Sequence, residues 1–107
     1  GKTLKKYLLF DLDTTALKEE FGPKRYTVAY SMIRQFLENC GFEHKQGSGY
    51  LSTEPISLNQ IIAIYQAMTE EMPWLDSCSK TMDVGNVRGF YRNRRKAPGF
   101  IYGDIRR

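Results

Sequence analysis

The apolar residues of the chain fall in separated blocks with different periods, and each block predicts one element. Tyr7-Leu8-Leu9-Phe10, within the stretch from Leu4 to Leu12, is a short continuous apolar run of the length of a strand buried on both faces, which marks a central strand. Asp11 and Asp13 stand where that run ends, with Leu12 between them, so the two-residue period of a strand would turn both carboxylates to one side. A charge-rich turn or short helical linker follows and closes at Gly22-Pro23. From Lys24 to Cys40 the apolar positions Tyr26, Ala29, Tyr30, Ile33, Phe36, Leu37 and Cys40 define one face of an amphipathic helix, and Gly41 is placed to end it in a left-handed cap.

Phe42 to Leu51 reads as a second extended region, which Gly47-Ser48-Gly49 interrupts with a bulge or a tight hairpin. After Pro55, the spacing of Ser57 and Gln60 fits a capping box at the head of a helix. Leu58, Ile61, Ile62, Tyr65, Met68 and Met72 continue as its buried stripe, and Pro73 stops it. Beyond Trp74-Leu75, Met82-Asp83-Val84 and Val87 to Tyr91 each have the chemistry of a final strand, with Gly85 between them. The order of elements is that of an α+β, ferredoxin-like sandwich: an antiparallel sheet with two helices on one face.

The length of 107 residues suits one core and no more. We expect a ferredoxin-like domain over 1–85 and a basic strand or tail over 86–107. The net charge of +4 is unevenly spread: from Asn86 onward seven basic residues stand against Asp104 alone, while the rest of the chain is slightly acidic. A positive segment of that kind attracts a polyanion by releasing condensed counterions. No apolar run approaches the roughly 18 residues that cross a bilayer, so no membrane partner is expected and the chain reads as cytoplasmic. Cys40 and Cys78 form no spaced metal motif and read as reduced, packed thiols.

Asp11 has the chemistry of a general base or of a ligand to a divalent cation, with Asp13 in support. Strand-end aspartates also occur simply to solvate and terminate a strand. No cofactor is required by these residues; Mg2+ is the ion that two carboxylates would admit, although two make a thin site unless a symmetric dimer pools them. Ser48, between glycines, lets the backbone approach a phosphate closely; the alternative is an ordinary bulge. His44, the single histidine, has the chemistry of an acid or base near neutrality, against a plain surface role. Lys80, Arg88, Arg92, Arg94 and Arg95 suit phosphates, and Phe90, Tyr91, Phe100 and Tyr102 interleave as stacking surfaces for unpaired bases.

Phe10-Asp11-Leu12 at a strand end, a helix closing on Cys40-Gly41-Phe42, Gln46-Gly47-Ser48-Gly49-Tyr50, and Tyr65-Gln66-Ala67-Met68 followed by Trp74 resemble, in that order, the virulence-associated protein D (VapD) family. The resemblance runs from about Tyr7 to Trp74. It implies a ferredoxin-like fold related to the small CRISPR adaptation nuclease, a homodimer, and an endoribonuclease that cuts single-stranded RNA as the toxin of a toxin–antitoxin pair. Asp11 matches the acidic residue that the related nuclease carries at the end of its first strand; the catalytic residues expected are Asp11, at the reacting phosphate, and Ser48, which with nearby amides orients it. The family's later Ser-Val-Arg-Asp-Ile-Arg-like run aligns in two ways here. Cys78-Ser79-Lys80-Thr81-Met82 puts Thr81 at the acidic place, and Asn86-Val87-Arg88-Gly89-Phe90 puts Asn86 there. Either way one family carboxylate is replaced, which leaves two alternatives: a non-catalytic nucleic-acid-binding dimer, or a protein-interaction subunit whose basic arm meets an acidic partner or antitoxin.

Overall fold

The structure, a computed structural model, describes residues 3–87 and, beyond them, the backbone of two short strands at 96–97 and 100–102. Strand β1 (Lys6–Leu12) runs through the middle of the sheet, as its apolar run predicts. Only one of its faces is covered, however: Leu8 and Phe10 are buried, whereas Leu9 between them is 39% exposed. Every helix among the described residues packs on the Leu8 side, so the doubly buried strand suggested by the unbroken apolar run becomes an ordinary alternating one.

Helix α1 (Thr14–Phe21) fills the stretch that reads as a charged linker. Asp13 caps it, its Oδ1 accepting from the amide of Ala16 at 3.1 Å, and Gly22 ends it at φ 96°, a value that favours glycine. Helix α2 (Val28–Asn39) starts four residues later than its periodicity suggests. Residues 22–30 are wound through successive three-residue bonds, such as Arg25 N–H to the Gly22 carbonyl at 3.2 Å and Val28 N–H to the Arg25 carbonyl at 3.0 Å. Tight turns of this type preserve a three-residue apolar spacing without forming an α-helix. Gly41, at φ 89°, closes α2.

The Gly47-Ser48 turn joins β2 (Phe42–Gln46) to β3 (Gly49–Ser52) as a hairpin. Helix α3 (Leu58–Glu71) opens with the capping box read from its sequence: the Ser57 hydroxyl accepts from Gln60 N–H, and Ser57 N–H donates to the Gln60 side chain. A short α4 (Leu75–Cys78) leads into β4 (Ser79–Asn86). This is one strand, not two separated at Gly85: Tyr7 pairs with Gly85 and Leu8 with Val84, so the glycine sits inside the ladder. Val87 lies just past the strand, and the remainder of the second candidate strand, 88–91, lies outside the described residues.

The strands order as β2-β3-β1-β4, all antiparallel, with Leu8, Phe10, Tyr50, Met82 and Val84 facing α1, α2 and α3 across one core. This is the α+β connectivity of a ferredoxin-like sandwich. Past β4 the sheet continues through β5 (Lys96–Ala97) and β6 (Phe100–Tyr102), β6 lying parallel to β4.

Candidate nucleic-acid site

The uncovered face of the sheet carries Asp11. It is exposed near the end of β1, and its partner on β4 is Thr81. The register slips between Asp11 and Leu12, so that Lys80 is the extra residue of β4, exposed beside the same strand end. Lys80 and Asp11 are thereby brought to one edge of the fold. Of the two residues that the sequence offered for the acidic place, Thr81 pairs with Asp11, whereas Asn86 pairs with Lys6 at the opposite end of β1. Asp83, two residues after Thr81 and partner of Leu9, lies on the same face as Asp11, diagonal to it. Asp83 went unremarked in the sequence because nothing there fixes which β4 residue meets Asp11.

Asp13 does not share that face. Strand β1 ends at Leu12 and Asp13 turns its Oδ1 to the head of α1, so strand alternation does not extend to it. Among the described residues no group of three or more His, Cys, Asp or Glu side chains is arranged to hold a metal ion.

Ser48 touches both sides of this end of the sheet. Its carbonyl accepts from Phe10 N–H at 3.1 Å, which ties the hairpin tip to the residue before Asp11. Its side chain belongs to the helix-covered side, where a cleft of about 320 Å³ is lined by Tyr30, Ser31, Arg34, His44, Gly47, Ser48 and Tyr50. Asp11 and Ser48 are thus neighbours through the backbone, and Asp11 is not among the residues that line this cleft. His44 Nε2 lies 2.7 Å from the Gly47 carbonyl, and its ring leans on that of Tyr50 with centroids 5.1 Å apart. Burial pushes the Tyr50 phenol up to about 12, with the Arg34 charge pulling it down and the Glu38 charge raising it.

Arg34 was not among the residues the sequence suggested. Its place on α2 is unremarkable until the hairpin folds back and sets His44 and Ser48 across from it. Arg88, Arg92, Arg94 and Arg95, with Phe90 and Tyr91, lie outside the described residues. Both cysteines are free thiols, Cys78 buried and Cys40 partly so, with burial and then the Glu71 charge raising the Cys40 thiol. Among the described residues no helix is long and apolar enough to cross a membrane.

No protein-family model matches the chain. Among curated proteins, it is 31% identical over 81 residues to "Endoribonuclease VapD 2" of Riemerella anatipestifer, covering 76% of this chain and 84% of that protein. It is 37% identical over 71 residues to "Endoribonuclease VapD homolog" of Helicobacter pylori, covering 66% of this chain and 73% of that one. With "Endoribonuclease VapD" of Dichelobacter nodosus it shares 33% identity over 85 residues, 78% of this chain and 81% of the relative.

Proposed function

Because the chain belongs to the VapD family, we propose that it is an endoribonuclease, cutting single-stranded RNA in the cytoplasm as the toxin of a toxin–antitoxin pair. The relatives' names support RNA cleavage as the activity. The observation that carries the reading to this chain is Asp11, an exposed carboxylate at the end of an inner strand, with Lys80 at the same edge and the Gly47-Ser48 turn bonded to its neighbour.

In this reading Asp11 takes the proton of the attacking 2′-hydroxyl or water as the new bond to phosphorus forms and a phosphorus–oxygen ester bond breaks, the leaving ribose oxygen taking a proton from solvent. Lys80 and the amides of the hairpin tip offset the charge that develops on the phosphoryl oxygens, and Ser48 holds the turn, and through it the phosphate, in register with β1. Asp83, on the same face, adds a second carboxylate near the place where Thr81 stands for the family's acid. The basic residues over 86–107, Arg88, Arg92, Arg94 and Arg95 among them, supply the charge that holds the RNA backbone. A homodimer completes the proposal. It would bring two Asp11 side chains to one interface, and it would protect part of an open sheet face on which Leu9 is exposed.

The experiment is cleavage of single-stranded RNA by the purified protein and by a folded Asp11→Asn variant. The substitution keeps the shape and removes the base, so the expected loss is about 100-fold or more in kcat/KM. Undiminished cleavage by the variant would remove Asp11 from the chemistry. Tight, salt-sensitive RNA binding with no cutting by the wild type would favour the non-catalytic nucleic-acid-binding dimer instead.

A further inference from the structure

The strand end at Asp11 supplies a carboxylate, but the cleft on the other side of the hairpin holds a different set of groups. Arg34 Nε is engaged by Glu38 Oε2 at 3.0 Å on the same helix, which leaves the terminal guanidinium nitrogens for a second acceptor. Ser31 stands one turn earlier on α2. Across the cleft, the Gly47 carbonyl only accepts, so His44 Nε2 at 2.7 Å from it is the nitrogen that carries the proton. Nδ1 is left for another partner. Four hydroxyl-bearing residues, Tyr30, Ser31, Ser48 and Tyr50, complete the lining; no carboxylate is among the lining residues, although Glu38, paired with Arg34, acts by its charge on Tyr50.

A cavity lined by an arginine with free guanidinium nitrogens, hydroxyl-bearing side chains and an imidazole, and by no carboxylate, suits an oxyanion. Its volume of about 320 Å³ is at the small end of ligand clefts and suits a single phosphate with its sugar. Its position is the second observation. Ser48 lines the cleft with its side chain while its carbonyl is bonded to the residue before Asp11, so a polynucleotide passing over the hairpin tip would meet the cleft and the Asp11 edge in succession.

We propose that this cleft is a phosphate subsite on the RNA path, in which Arg34 and the hydroxyls of Ser31 and Ser48 hold a phosphodiester oxyanion beside the His44 ring. The proposal rests on RNA being the substrate, and it adds Arg34 and His44 as binding residues next to the Asp11 edge.

His44 is the only histidine in the chain, so its ring signals in an NMR titration report on this cleft alone. The intact protein is titrated first with inorganic phosphate and then with a 2′-O-methyl tetranucleotide, which it cannot cut through the 2′-oxygen. Saturable movement of the His44 signals is expected with both. Tetranucleotide binding is expected to weaken about ten-fold in Arg34→Gln but less than about two-fold in Lys45→Gln, which removes the same charge from an exposed ion pair on neighbouring β2. In cleavage, Arg34→Gln should raise KM more than it lowers kcat. His44 signals that stay still at saturating oligonucleotide, or equal losses in the two variants, would overturn the subsite. The two readings fail separately: binding in the cleft without any RNA cleavage sinks the proposed activity, and cleavage with an unmoved His44 sinks the subsite.

Discussion

Replacing Gly49 with alanine tests how the hairpin is pinned to the central strand. Gly49 has none of the positive φ that glycine alone tolerates, so alanine meets no backbone strain there. What it meets is Tyr7: a Cβ on residue 49 would lie 2.8 Å from Tyr7 Cζ and 3.1 Å from Cε1, and closer still to the hydroxyl. The tyrosine ring lies over the glycine on the open face and would have to swing away, an overpacking cost of about 1–3 kcal/mol. In a Tyr7→Ala background that obstacle is gone, and alanine in place of glycine within a strand should then stabilise by roughly 0.5–1 kcal/mol. Urea unfolding of the four proteins, followed by the fluorescence of Trp74, gives the complete cycle. The expected coupling is about 2 kcal/mol, with a change of sign in the effect of Gly49→Ala. An equal cost in both backgrounds would show that Tyr7 does not crowd this position.

Two further outcomes follow from single groups. Burial raises the phenols of Tyr50, to about 12, and of Tyr65, which also donates to Asp76 Oδ1 at 2.6 Å, so the folded protein keeps these protons to higher pH than the unfolded chain. The stability they contribute is therefore complete below pH 10 and is lost as pH rises through 10 toward 12, by roughly 1–2 kcal/mol for Tyr50. Unfolding measured from pH 8 to 11 should show this fall, and a Tyr50→Phe, Tyr65→Phe double variant should flatten it; an unchanged slope in the double variant would assign the loss to other groups. Asp13→Ala should cost about 1 kcal/mol by uncapping α1, whereas Asp13→Asn keeps an accepting oxygen and should preserve both stability and RNA cleavage. A stable Asp13→Asn protein with cleavage lost would give Asp13 a chemical role instead of a structural one.

The order of elements was legible in the sequence wherever local chemistry decides structure. The Ser57 and Gln60 spacing names the head of α3, and Gly41 names the end of α2, because caps act within one turn of the chain. The start of α2 was not legible, since three-residue turns through Pro23 and Thr27 produce the same apolar spacing as a helix. Nor was the covering of β1: an unbroken apolar run does not say which face the helices choose, and Leu9 remains exposed.

For the candidate site, Asp11 and Ser48 stand out as residues, but their relation does not. Only the β1–β3 register and the two-residue turn show that Ser48 is tied to Phe10 through its backbone while its side chain opens to the far side of the sheet. Arg34 and His44 converge for the same reason, through a hairpin whose direction depends on tertiary packing. Asp83 becomes a neighbour of Asp11 only once Thr81 is seen as the partner of Asp11.

The central claim is that a carboxylate at the end of the inner strand cuts RNA. Its most direct measurement is a time course in which end-labelled single-stranded RNA is incubated with purified wild-type protein and with folded Asp11→Asn protein matched for concentration. The account predicts internal cuts that accumulate with the wild type and nearly vanish with the variant. RNA left whole by the wild type, or cut equally by both proteins, would contradict it.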